Sequence, residues 1–162
     1  MRDQRFVAVH RGGVLDKASH VWLARWAADC AEAVLHLFQQ HSADERPAHA
    51  LKIARDWANG DVKTGVAMKA SLASHAAARE ATNKAAIAAA RAAGHAVATA
   101  HFADHSMGAL LYASKALEAA GLESESELQK QFDKLPDHLH DMVTSGIKTR
   151  LRKLGVKASA HS

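Results

Sequence analysis

Two histidines and an aspartate lie close together in an alanine-rich part of the sequence. His101 and His105 are four residues apart, and Asp104 is about one turn from His101. On a helix this spacing puts both imidazoles on one face, as in a two-histidine metal site. A second pair, Asp29 and His36, is two turns apart on the predicted first helix. Carboxylates and imidazoles that face inward from two helices are the metal ligands of bundle proteins.

Together with two further histidines in the alanine-rich stretch, these residues form one candidate polar cluster. Its members are Asp29, His36, His75, His95, His101, Asp104 and His105. Three interpretations stay open: metal binding, a structural cluster of hydrogen-bonded histidines, and histidines that face solvent. In a structural cluster we expect a buried Asp29 paired with a histidine, since a buried carboxylate needs a partner.

The known motifs for metal and catalytic chemistry are absent from the sequence. It lacks the Glu-x-x-His element of di-iron bundles, and Phe102 and Ala103 break the zinc-protease motif. Cys30 lies mid-helix with no helix N-terminus to lower its pKa, so we expect a buried, inert thiol. The glycines at Arg11-Gly12-Gly13 are too few to hold a phosphate and follow no strand. We therefore predict no catalytic residue, no metal and no cofactor.

Charge and composition argue against two kinds of partner. The net charge is only +4, and the one concentrated basic patch is expected to be a solvated helix terminus and not a nucleic-acid site. The patch consists of Lys148, Arg150, Arg152, Lys153 and Lys157. No apolar, uncharged run approaches the roughly 18 residues of a membrane span. A single cysteine fits a reducing cytoplasm.

Helical periodicity runs through the chain, and no useful period-two strand is found. Of the 54 residues in 67–120, 23 are alanine, the best helix former, which predicts a closely packed central layer. A single helix over 84–120 would be about 55 Å long, so we expect a break near Gly94 or near Ser106-Met107-Gly108.

The remaining helices are placed by turn and capping residues. The first is predicted over 18–41, capped by Asp16 or Ser19, and the second over 47–58, ended by Asn59-Gly60. The third runs from Asp61 or Thr64 to the interruption at Thr82-Asn83. A later helix begins at a capping box of Ser124 and Glu127, and the last runs from Pro136 to Gly155. The expected fold is all-α: a bundle of about six or seven helices in one domain over 1–157, with a frayed tail at 158–162.

Three segments carry a family resemblance: LARWAADCAE at 23–32, SHAAAREA at 74–81 and AAGHAVATAH at 92–101. Over roughly residues 3–120 the sequence resembles the bacterial family named Imm-5-like putative immunity proteins. The resemblance implies an all-helical cytoplasmic protein that protects its host from a toxin by binding it. It brings no catalytic motif with it.

Two classes of function follow. The first, favoured by the resemblance, is a non-enzymatic immunity protein that neutralises a bacterial toxin through a surface patch. The alternative is a metal-binding helical protein or metal-dependent enzyme, in which Asp29, His36, His101 and His105 must converge within ligand distance. A third possibility is a scaffold or dimerising bundle, so a homo-oligomer also stays open.

Overall fold

The computed structural model describes residues 2–153, and this part of the chain is α-helical, without a β-strand. Two short 3-10 turns, Gln4–Phe6 and Val9–Arg11, precede seven helices. The helices are α1 (Lys17–Gln39), α2 (Arg46–Ala58), α3 (Thr64–Glu80), α4 (Lys84–Ala98), α5 (His105–Ala119), α6 (Glu125–Asp133) and α7 (Asp137–Lys153). The predicted all-α bundle is confirmed, and no helix within 2–153 is long and apolar enough to cross a membrane. The predicted helix end at Gly155 and the tail at 158–162 lie outside the described residues.

Helix α4 is the centre of the bundle. It packs against α1, α2, α3 and α5, and all of its residues are buried except Lys84, Ile87, Arg91 and His95. These four recur at spacings of three and four residues, so they form one narrow stripe that reaches solvent. Nine of the buried residues are alanine, whose small side chains let the surrounding helices approach closely. This is the alanine-rich central layer that the sequence predicts.

A second buried cluster, of larger side chains, lies where α1, α5, α6, α7 and the N-terminal turns meet. It includes Phe6, Trp26, Met107 and Leu139. The indole Nε1 of Trp26 also donates a hydrogen bond of 2.9 Å to the carbonyl oxygen of Gln131 on α6. Large aromatic side chains with a satisfied polar atom therefore attach the last two helices to α1.

Several helix ends follow from local signals. The Asp16 carboxylate accepts a hydrogen bond of 2.7 Å from the backbone N–H of Ser19 at the start of α1. The Asn83 side chain accepts one of 3.0 Å from the N–H of Ala86 at the start of α4. Gly60, with φ +83°, follows the end of α2 in the left-handed conformation that glycine favours. All three features agree with the sequence prediction.

The predicted capping box of Ser124 and Glu127 is wrong. The Ser124 hydroxyl donates instead to the Glu118 carboxylate at 3.3 Å. The start of α6 is capped by Glu123, which accepts hydrogen bonds from the N–H and the hydroxyl of Ser126. The longer carboxylate side chain reaches the free N–H from one residue earlier, and its negative charge suits the helix N-terminus.

The long alanine-rich stretch forms two helices, α4 and α5, joined by a turn over residues 99–104. A break is confirmed close to the predicted site at Ser106-Met107-Gly108, since the turn ends at Asp104. The alternative site at Gly94 lies inside α4, and Gly108 itself lies inside α5. Just after α4, the imidazole Nε2 of His20 on α1 donates to the carbonyl oxygen of Thr99 at 2.6 Å. A side chain from another helix thus satisfies this carbonyl at the end of α4.

Both glycines lie where a histidine ring from a neighbouring helix meets the backbone. A Cβ atom on Gly94 would lie 2.6 Å from the Nε2 of His75, and one on Gly108 would lie 2.6 Å from the Nδ1 of His95. These distances are far shorter than van der Waals contact, so only glycine fits against rings in these positions. We call the two pairs the glycine–histidine contacts.

Gly108→Ala is expected to destabilise the protein by about 1–3 kcal/mol, although alanine usually stabilises a helix by about 1 kcal/mol relative to glycine. The added methyl group collides with the His95 ring, which Tyr112 and His105 hold in place. Urea denaturation followed by circular dichroism measures the change. Gly65→Ala is the matched control, since a Cβ there meets nothing within 4 Å, and its stability should be equal or higher. Equal stabilities of the two variants would contradict the glycine–histidine contact.

Candidate functional site

Three successive helices contribute one histidine each to a continuous row. His75 on α3, His95 on α4 and His105 on α5 follow one another, with ring centroids 5.3 and 5.4 Å apart. Tyr112 on α5 stacks on His95, with 5.1 Å between centroids and 14° between ring planes. Arg91, one turn before His95, donates from Nη1 to the Nδ1 of His75 at 3.0 Å. We call these five residues the histidine–tyrosine row.

The row is positioned by hydrogen bonds between α3 and α4. The hydroxyls of Ser71 and Ser74 on α3 donate to the carbonyl oxygens of Gly94 and Ala90, at 2.9 and 2.8 Å. Both serines are buried, so these bonds satisfy their hydroxyls and determine how α3 lies along α4. His75 follows Ser74 directly, and its ring therefore rests on Gly94.

The hydrogen bonds also assign protons to the imidazoles of the row. The Arg91 guanidinium has only donors, so the Nδ1 of His75 accepts and the proton of the neutral ring is on Nε2. His95 and His105 face each other through Nδ1 atoms 3.2 Å apart, so one Nδ1 donates and the other accepts. Two protonated rings would place two donors against each other. The row is therefore built for neutral imidazoles.

Burial keeps these rings uncharged at neutral pH. It lowers the pKa of His95 to about 3, and charge on His105 and His75 acts in the same direction. Burial lowers the pKa of His75 as well, and the Arg91 charge adds to this effect. The pKa of His105 is lowered by burial against the opposing charge of Asp104. The imidazoles thus act as neutral donors and acceptors, and the row's positive charge belongs to Arg91.

His101 and Asp104 lie in the turn between α4 and α5, outside the row. The His101 ring contacts the Phe102 ring, with centroids 4.3 Å apart. The buried Asp104 carboxylate accepts a hydrogen bond of 2.6 Å from Arg2, and the guanidinium of Arg150 is 3.8 Å away. Asp104 therefore connects the N-terminal segment and α7 to this turn.

The two site residues predicted on α1 do not join the row. The Asp29 side chain is 40% exposed and pairs with Arg55 of α2 at 3.1 Å and with Lys134 at 4.0 Å. The prediction of a buried Asp29 paired with a histidine is therefore wrong, because long basic side chains reach this carboxylate at the surface. His36 is exposed.

Within residues 2–153, no group of three or more His, Cys, Asp or Glu side chains is arranged to hold a metal ion. The metal alternative required Asp29, His36, His101 and His105 to converge, and in the described part of the chain they do not. Cys30 is fully buried, as predicted, and burial raises the pKa of its thiol well above the usual value.

Three residues of structural importance near these groups were not predicted. His20 is buried beside the end of α4, and a signal for it was present, because the apolar stripe of α1 reaches His20 three residues before Leu23. Arg91 precedes His95 by four residues, a spacing that places both on one helix face. Tyr112 follows His105 by seven residues on α5, a spacing that places both on one face of that helix.

Comparison with known proteins adds one match. A family model described as Imm-5 like putative immunity protein matches residues 13–138. The match includes the whole histidine–tyrosine row and extends from before α1 to the first residues of α7. No curated protein and no solved structure matches the chain.

Acidification is expected to destabilise the protein below about pH 6.5. There the histidines of the unfolded chain bind protons while the folded row, with its lowered pKa values, does not, so stability falls as pH falls. For His95 this loss continues down to about pH 3. It amounts to about 1.4 kcal/mol per pH unit once the unfolded ring is protonated. Urea denaturation at about pH 7, 6 and 5 measures this slope.

His95→Phe separates this effect from general acid sensitivity. The phenyl ring still packs against Gly108 but cannot bind a proton, so the slope should become shallower. His36→Gln removes a histidine at an exposed site and should keep the slope of the wild-type protein. Equal slopes for wild type and His95→Phe would show that the row does not cause the pH dependence.

Proposed function

Because the chain belongs to the Imm-5 like putative immunity protein family, we propose that it protects its host cell by binding a toxin. In this proposal the protein forms a stoichiometric complex with the toxin and catalyses no reaction. It acts in the bacterial cytoplasm, which is consistent with its single cysteine.

The family match is the observation that carries the proposal, since it extends over residues 13–138 and so over most of the 162-residue chain. The site geometry supports it in a second way. The imidazoles of the row are neutral and engaged with one another, with Arg91 and with glycine backbone. Side chains held in fixed positions at a partly exposed surface suit recognition of a partner, because little freedom is lost on binding.

A co-culture experiment tests protection directly. A strain that lacks the gene is grown in contact with its parent, which produces the toxin. We expect the parent to inhibit the deletion strain, because that strain no longer neutralises the toxin. A plasmid copy of the gene should restore growth, and the same plasmid with a stop codon at Trp22 should not. Equal growth of deletion strain and parent would contradict an immunity function.

The stoichiometry of protection distinguishes binding from catalysis. The toxin is purified from the parent by following its activity on the deletion strain, and is then titrated with the purified protein. A binding protein should abolish toxicity only at about one molecule per toxin molecule, since each complex consumes one of each. Full protection at a small fraction of that amount would mean enzymatic inactivation.

A further inference from the structure

The outer face of α3, α4 and α5 surrounds the histidine–tyrosine row with apolar and basic side chains. We call the row together with Leu72, Ile87 and Lys115 the row face. We propose that the row face is the toxin-binding surface and that it binds an acidic patch on the toxin protein. This inference rests on the proposed function and adds the surface and its chemistry to it.

The row face includes Ile87, Arg91 and His95, three of the four α4 residues that reach solvent. Lys84, Ile87, Arg91 and His95 are the residues of α4 that are not fully buried. Leu72 is one turn before His75 on α3 and is 68% exposed. A partner on this face therefore contacts side chains that are connected directly to the centre of the bundle.

The side chains of the row are already ordered before a partner arrives. His95 is held between the backbone of Gly108 and the ring of Tyr112. The ammonium group of Lys115 lies 4.9 Å from the centroid of the Tyr112 ring. Ordered tyrosine and arginine side chains are frequent at the energetic centres of protein interfaces, because their contact area is large and they lose little entropy.

The charge of this layer indicates an acidic partner. Residues 64–119 include five basic side chains with no carboxylate in salt-bridge range anywhere in 2–153: Lys69, Arg79, Lys84, Arg91 and Lys115. The acidic residues of the same segment are Glu80, Asp104 and Glu118, and each bonds a neighbour elsewhere in the protein. Of these five, Arg91 and Lys115 belong to the row face, and their positive charge is left for carboxylates of a partner.

The same face suits a protein better than a nucleic acid. Nucleic-acid bases stack on free aromatic faces, but the Tyr112 ring already contacts the His95 ring and the Lys115 ammonium group. An exposed leucine such as Leu72 gains stability when a protein partner buries it. We therefore choose an acidic protein surface as the occupant, and competition by DNA is one outcome of the test.

Two variants of the row face test the proposal in the co-culture assay and with the purified toxin. Leu72→Ser changes an exposed side chain and leaves the fold intact, and it should weaken binding about tenfold. Arg91→Glu reverses a charge that the toxin contacts and should weaken binding about 100-fold. Both variants should fail to protect the host strain at low expression. The Kd of the wild-type protein for the toxin should rise with added NaCl, because salt screens the attraction between the basic face and the acidic patch. Circular dichroism melting confirms that each variant is folded.

Arg11→Glu is the control for the charge reversal, because Arg11 is an exposed arginine outside the row face, with its guanidinium 4.8 Å from the centroid of the Phe102 ring. It should protect like the wild type. Protection by both row-face variants, or a larger loss with Arg11→Glu, would overturn the proposal while leaving the immunity function intact. A short DNA duplex that displaces the toxin would overturn the choice of partner. Absence of protection by the wild-type protein would remove the proposed function itself, and this inference with it.

Discussion

The close approach of the neighbouring helix backbones to α4 is the constraint on which the rest of the structure depends. Four helices pack against it, and its buried residues are alanine except for Gly94 and Val97. Alanine contributes little apolar area, so the layer gains stability from many close contacts between helix surfaces. Buried hydroxyls such as that of Ser74 add hydrogen bonds that determine the relative positions of the helices. The rings of His75 and His95 fit into this layer where each meets a glycine of the next helix.

The electrostatic character of the row follows from the same constraint. Rings pressed against helix backbone lose their hydration, which disfavours the protonated form and lowers the pKa of His95 to about 3. Neutral rings can then share a hydrogen bond, as His95 and His105 do. Within the row face, permanent positive charge belongs to Arg91 on α4 and Lys115 on α5. Packing at the centre thus decides which chemistry the surface presents.

The sequence was sufficient for features that depend on nearby residues and insufficient for those that depend on distant ones. Asn83 caps α4 through an N–H three residues away, and this was predictable. Gly94 resembles a helix break, because nothing close in sequence reveals that His75 occupies the space beside it. Asp29 pairs with Arg55 from the next helix, which periodicity does not specify. Three of the seven predicted site residues, His75, His95 and His105, belong to the five-residue row.

The contact between Gly108 and His95 also limits how the sequence can evolve. A side chain at position 108 and a ring at position 95 compete for the same space, so a residue larger than glycine at position 108 is tolerated only with a smaller residue at position 95. Related sequences should therefore vary at these two positions together, and the same holds for Gly94 and His75. Because the paired positions lie on successive helices, their covariation in aligned sequences would by itself indicate that α3 packs against α4 and α4 against α5.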